Sequence, residues 1–140
     1  YDYGAWMGSE WFAVAYVGES APLADMSINW RELHVAVKAL ATWALVLANS
    51  CVLFHIDNQA TCGLLSKIYT PCEDLMELVR AWAMLLEVHN IDARVEYIST
   101  TDNYGADALS RGLLDQFRAA YPQASSPTWP ASIMYFDRSI

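Results

Sequence analysis

Val52-Leu-Phe-His-Ile-Asp-Asn-Gln-Ala60 is the stretch whose reading decides the fold. Its opening residues are apolar, aromatic and β-branched, so they read as a short strand. The run then delivers one carboxylate, Asp57, and changes to residues that open a helix. An Asp at the carboxyl edge of a strand, followed by a polar turn, stands where open α/β sheets place their sites. A local alternative is that Asp57 or Asn58 caps the helix that starts near Gln59, because Asp and Asn offer a side-chain oxygen to the first free amides. What other segments bring to the same place separates the two readings.

Upstream, Asn29 precedes a long helical pattern in which Leu33, Ala36, Val37, Leu40, Trp43, Ala44 and Leu47 recur at three- and four-residue spacing. Glu32 lies three residues after Asn29, the position from which a capping box folds back onto the cap. It is also one residue round from the apolar stripe, near the positive end of the helix, which would keep its carboxylate ionised as it reaches toward the sheet edge. Further back, Gly4-Ala-Trp-Met and Trp11 to Val17 flank Gly8-Ser9 and predict a hairpin, while Gly18 to Met26 reads as a loop.

Downstream, Gln59 to Lys67 predicts a short helix ended by a turn at Ile68-Tyr-Thr-Pro71. Thr70, Pro71 and Glu73 then carry a helix-start signature of cap, Pro at the first position and Glu at the third. Leu75, Leu78, Val79, Trp82, Leu85, Leu86 and His89 mark the buried stripe of that helix, with His89 placed to cap its end. Asp92 to Ile98 alternates as a half-exposed strand, Ser99 to Asn103 is a loop, and Tyr104 to Arg111 is a short helix stopped by Gly112. Leu113 to Tyr121 adds one more helix; Pro122 to Pro130 reads as linker.

Two strands separated by helices imply parallel pairing, whereas the opening hairpin is antiparallel, so the expected fold is α/β with a mixed sheet flanked by helices. Carboxylates recur at comparable places: Glu32 and Asp107 in the first turns of helices, Asp57 at a strand end. Such a trio can converge at one sheet edge.

The 140 residues fit one compact domain able to bury about two-thirds of the surface its unfolded chain exposes. Three cysteines form no paired framework and no zinc-like spacing, which fits a reducing, intracellular setting, cytoplasm or nucleus. No signal peptide or membrane-length apolar run is expected, and the start at Tyr1 reads as a fragment or excised domain. Sixteen acidic against eight basic side chains give a net charge of −8, which repels a polyanion. Divalent metals among the carboxylates reverse that sign locally.

Ile28-Asn-Trp-Arg-Glu-Leu33, Ile56-Asp-Asn-Gln-Ala60 and Asn103-Tyr-Gly-Ala-Asp-Ala-Leu-Ser-Arg111, in that order, resemble the successive motifs of the ribonuclease H domain attached to reverse transcriptases of retroelements, especially the DIRS-like type. The resemblance runs from about Gly4 to Arg111. It implies a ribonuclease H-like three-layer fold over residues 1–121, with 122–140 as linker and tail, lacking part of the first strand. It also implies that Glu32, Asp57 and Asp107 are the second, third and fourth members of the family's four-carboxylate site, with Asn58 contacting the nucleic acid. The family's first carboxylate belongs to a segment that looks cut away before Tyr1, with Asp2 a displaced substitute; Asp102, in the loop where the family keeps a mobile His, reads as a turn residue.

What the resemblance implies for function is a Mg²⁺-dependent endonuclease that cuts the RNA strand of an RNA–DNA hybrid, beside the reverse transcriptase domain of the same polyprotein. No small-molecule substrate and no membrane are expected. Two Mg²⁺ ions about 4 Å apart, with Mn²⁺ as a substitute, serve an in-line phosphodiester displacement, and hard carboxylate oxygens suit them. Two other classes share these features: a non-catalytic ribonuclease H-like scaffold of a polymerase, and a DNA integrase or resolvase of the same fold superfamily.

Overall fold

The computed structural model describes residues 3–128 and 130–131. The chain opens with β1 (Tyr3–Met7) and β2 (Glu10–Val14), an antiparallel hairpin pairing Tyr3 with Val14 and Met7 with Glu10. Gly8 at φ +57° supplies the left-handed residue of its turn. Residues expected to be loop form a 3-10 helix, Gly18–Asp25, tied at its start by Ser20, whose hydroxyl both accepts from the Val17 amide and donates to the Val17 carbonyl.

The long helix α1 runs from Ile28 to Leu47. Its cap is Ser27, whose hydroxyl accepts from the Trp30 amide at 3.2 Å, rather than the expected Asn29. After it come β3 (Cys51–Ile56), α2 (Gln59–Lys67), α3 (Glu73–Val88) and β4 (Asp92–Tyr97). β3 and β4 pair in parallel from Cys51–Asp92 to Ile56–Tyr97, as the helical spacing between them requires. Two asparagines in left-handed conformation, Asn49 and Asn90, end the turns leading into these strands and join through a 3.0 Å side-chain hydrogen bond. Asn tolerates that conformation better than other residues with a side chain, so the pair starts the two strands side by side. The helix-start signature at Thr70 is displaced: α3 begins at Glu73 after Cys72, and the Thr70 hydroxyl accepts from the Cys72 amide within the preceding turn.

The chain continues through α4 (Tyr104–Ser110) and α5 (Leu114–Ala120) to a two-residue strand, β5 (Ser126–Pro127), parallel to β2. The stretch expected to be linker is therefore partly packed structure. Ala124 is buried with Trp11 and Phe117, the Ser126 and Thr128 amides donate to Ser9 and Trp11 carbonyls, and Ala131 bonds to Lys38 and Thr42 on α1. The reason is local: β2 offers a free edge, and Ala124 fills the space beside Phe117. Residues 132–140 lie outside the described part.

Side chains of the hairpin alternate between two cores. Tyr3, Phe12, Ala5 and Val14 pack on Ala39 and Trp43 of α1, while Trp6, Trp11 and Ala13 pack on Leu109 of α4 and Phe117 of α5. This part of the molecule is thus three layers deep. In contrast β3 and β4 bury one face, Val52, Phe54, Ile56, Ala93 and Val95, over α1 and α3, and leave Cys51, Leu53, His55, Arg94 and Glu96 exposed.

The fold is mixed α/β, with one departure from the expected single sheet. The ladders form two sheets, β1-β2-β5 and β3-β4, and no ladder joins β1 to β3. Helix α1 touches both, so the two sheets sit side by side over one helix with a gap between their facing edges. No helix among the described residues is long and apolar enough to cross a membrane.

Candidate functional site

The gap is a cleft of about 460 Å³, walled by β1 on one side and β3 on the other, with α1 beneath and the 102–110 region closing one end. Glu32, Asp57 and Asp107 all line it.

Asp57 is set directly beyond the last β3 residue, in the turn before α2. Asn58, not Asp57, is the cap of α2: its Oδ1 accepts from the Thr61 amide at 2.9 Å. The cap expected at one of these two residues is therefore Asn58, and the Asp57 carboxylate has no capping bond to keep. Asn58 uses its carbonyl oxygen in this way and keeps its amide N–H groups for other partners.

Glu32 lies in the second turn of α1. Since Ser27 is the cap and Asn29 is already helical, no capping box engages Glu32. Burial raises its pKa above the ordinary carboxylate value, the negative charge of Asp57 raises it further, and Arg31 opposes both. The Asp57 charge also contributes, after burial, to raising the pKa of Cys62, whose thiol points at the Ile56 carbonyl, 3.8 Å away. Helix α1 and strand β3 therefore bring two carboxylates into mutual electrostatic range in a partly desolvated pocket.

Asp107 reaches the cleft from α4, which is seated on β1 by two glycines. A Cβ at Gly4 would stand 2.5 Å from the Leu109 Cβ, and a Cβ at Gly105 would stand 2.5 Å from the Trp6 indole nitrogen. Both positions must lack a side chain for the helix to lie this close to the strand. Unlike Glu32, Asp107 has a cationic partner: its Oδ1 is 3.2 Å from Arg111 Nε. Asp102 lines the same end of the cleft, with its amide donating to the Ser99 hydroxyl at 3.2 Å, the turn expected there. Asp2 falls outside the described residues.

Glu32 and Asp57 are hard oxygen donors of the type that suits a divalent cation, and neither is in an ion pair among the described residues. Asp107 is of the right type and on the same cleft, but Arg111 holds it. Among the described residues no group of three or more His, Cys, Asp or Glu side chains is gathered closely enough to hold a metal ion.

Arg31 also lines the cleft, and its Nε is buried without a hydrogen-bond partner. Nothing in its local pattern singled it out, since a basic residue early in a helix usually marks a solvated face; its adjacency to Glu32 was the available signal.

Compared with protein-family models, with curated proteins and with solved structures, the chain matches none.

Proposed function

We propose that this chain is a Mg²⁺-dependent ribonuclease H-type domain that cuts the RNA strand of RNA–DNA hybrids, working beside a reverse transcriptase in a retroelement polyprotein. The observation that carries the proposal is the Glu32–Asp57 pair: residues from two separate motifs of the resemblance share one partly desolvated cleft, and each motif's capping need is met by another residue.

Asp57 follows a strand paired along its whole length, so its position is rigid and suits the central ligand role. Glu32 approaches from the helix beneath. Asp107, lining the same cleft and paired with Arg111, would be the third residue to hold the metal. Bound Mg²⁺ supplies the positive charge that a phosphodiester displacement needs on its attacking and departing oxygens. The free amide N–H groups of Asn58 are donors for the hybrid, and RNA is told from DNA by its 2′-hydroxyls.

A second reading, a non-catalytic scaffold of the same fold, is favoured by one specific observation, the Arg111–Asp107 ion pair that keeps the third carboxylate occupied. Labelled RNA–DNA hybrid, duplex DNA and duplex RNA, each incubated with Mg²⁺ and with chelator, separate the two. Mg²⁺-dependent loss of the RNA strand of the hybrid alone supports the nuclease; an intact hybrid in the presence of folded protein and Mg²⁺ supports the scaffold.

A further inference from the structure

Four carboxylates lining one cleft, Glu32, Asp57, Asp102 and Asp107, repel a phosphodiester backbone unless a cation of the protein faces it as well. The eight Lys and Arg side chains can be followed one by one. Lys38 donates to the Ala131 carbonyl at 2.8 Å, Arg111 is paired with Asp107, and Arg118 lies between Asp115 and the Trp11 ring. Arg94 is on the outward face of β4, Lys67 is exposed in the last turn of α2, and Arg80 belongs to α3, away from the cleft. Arg138 is outside the described residues. Among the described residues this leaves Arg31 as the one Lys or Arg that lines the cleft.

Arg31 is also chemically unfinished. Its Nε–H is shut off from solvent and meets no acceptor, and no ion pair links its guanidinium to Glu32 or Asp57. Trp11 and Trp43 Nε1, Thr61 Oγ1 and Arg80 Nη1 share that condition, so what sets Arg31 apart is its place as the cation of the cleft wall, with the outer guanidinium nitrogens as the groups that would meet a ligand. The planar guanidinium offers parallel N–H groups that match two non-bridging phosphate oxygens.

We propose that Arg31 is the phosphate anchor of the cleft, holding the backbone of the nucleic-acid strand that lies over Glu32 and Asp57. The inference rests on the hybrid-binding reading of the cleft and adds to it the residue that positions the strand. Because Arg31 is next to Glu32 on α1, a phosphate held by one is placed beside the other. The anchor recognises backbone, not bases, so it acts on any sequence.

The test is binding of a fluorescently labelled RNA–DNA hybrid, read by anisotropy in Ca²⁺ over a series of salt concentrations, for the wild-type chain, Arg31→Gln, Arg31→Lys and Arg94→Gln. Loss of one phosphate contact should weaken binding about tenfold in Arg31→Gln and reduce the log–log salt slope by about one. Arg31→Lys keeps the charge and should keep the slope with weaker affinity, and Arg94→Gln should match wild type. Circular dichroism melts confirm that each variant is folded, and Arg31→Lys carries the comparison if Arg31→Gln is not. Wild-type affinity and slope in Arg31→Gln, or a slope in Arg31→Lys that differs from wild type, would overturn the assignment. The nuclease reading is decided separately by cleavage: a chain that does not cut, yet loses one unit of slope in Arg31→Gln, sustains the anchor and removes the activity. A chain that cuts, with its slope unchanged in Arg31→Gln, does the reverse.

Discussion

Asp57, at the end of β3, places its negative charge within electrostatic range of Glu32 on α1, and adds to the rise in the Glu32 pKa that burial causes first. Two carboxylates in a partly desolvated cleft destabilise the fold while both are ionised, and a divalent cation removes that cost. Without metal, Glu32→Gln should therefore be at least as stable as the parent. With Mg²⁺ or Mn²⁺ at about ten times the dissociation constant, the parent should gain about 1.4 kcal/mol, and Glu32→Gln much less. Thermal melts with and without metal check both. The acid side has a definite sign: a carboxyl whose folded pKa is raised binds its proton more readily in the folded state. Its contribution to stability is greatest below the ordinary carboxylate pKa and falls as pH rises through the folded value.

The seating of α4 is the next point of sensitivity. At Gly105 an added Cβ meets the Trp6 indole and comes within 3.0 Å of the Tyr121 ring. Trp6 is held between Phe117 and Tyr121, with centroids 6.1 and 4.4 Å away, so it has little room to yield. Gly105→Ala should destabilise by about 1–3 kcal/mol, the usual range for overpacking, and should shift Asp107 relative to the other two carboxylates. Urea unfolding gives the first quantity, and the loss of metal-induced stabilisation reports the second.

How much of this was legible in the sequence depends on where the deciding interaction lies. Strand β4 and helix α3 followed from periodicity, because each buries one face and the period states which, while β3 followed from its apolar, β-prone composition. The site was half legible. The motif order located Glu32, Asp57 and Asp107, but the caps that release the first two are Ser27 and Asn58, and a choice among neighbouring capping residues turns on backbone angles that no pattern of types fixes. Arg31 escaped notice because an unsatisfied guanidinium is a property of its surroundings. The split of the sheet and the docking of residues 124–128 escaped for a related reason: both depend on which strand edges remain free, a fact of assembly across many elements.

Docking of residues 124–128 has a measurable consequence. It adds two backbone hydrogen bonds to Ser9 and Trp11 of the opening hairpin, the Thr128–Glu10 contact at 3.0 Å and a buried Ala124. A chain ending at Tyr121 should be less stable by about 2–3 kcal/mol, since each net hydrogen bond contributes roughly 1 kcal/mol and the apolar contact adds to it. A true linker would leave the urea midpoint unchanged.

His34 gives the fold an acid limit. It is 3% exposed, stacked on Trp30 at 4.7 Å, edge-on to Tyr3, and shares a 3.0 Å hydrogen bond with the Tyr16 hydroxyl. Burial, assisted by the charge of Lys38, lowers its pKa to about 4. The folded state therefore binds fewer protons than the unfolded state between about pH 6.5 and 4, and stability is full above that window and declines as pH falls through it. The decline attributable to His34 should reach about 2 kcal/mol by pH 5. Urea midpoints at pH 7 and pH 5 should differ accordingly in the parent and much less in His34→Phe.

The account turns on Asp57. Asn at this position keeps the volume, and Asn58 already caps α2, so Asp57→Asn should change stability by no more than about 1 kcal/mol. Removing the charge at the centre of the cleft should nevertheless cost orders of magnitude in rate. The decisive measurement is Mg²⁺-dependent cleavage of a labelled RNA–DNA hybrid by the parent chain and by Asp57→Asn, with circular dichroism showing both folded. The account predicts RNA-strand cleavage by the parent and its disappearance in the variant. Equal cleavage by the two, or an uncut hybrid with the folded parent, would contradict it.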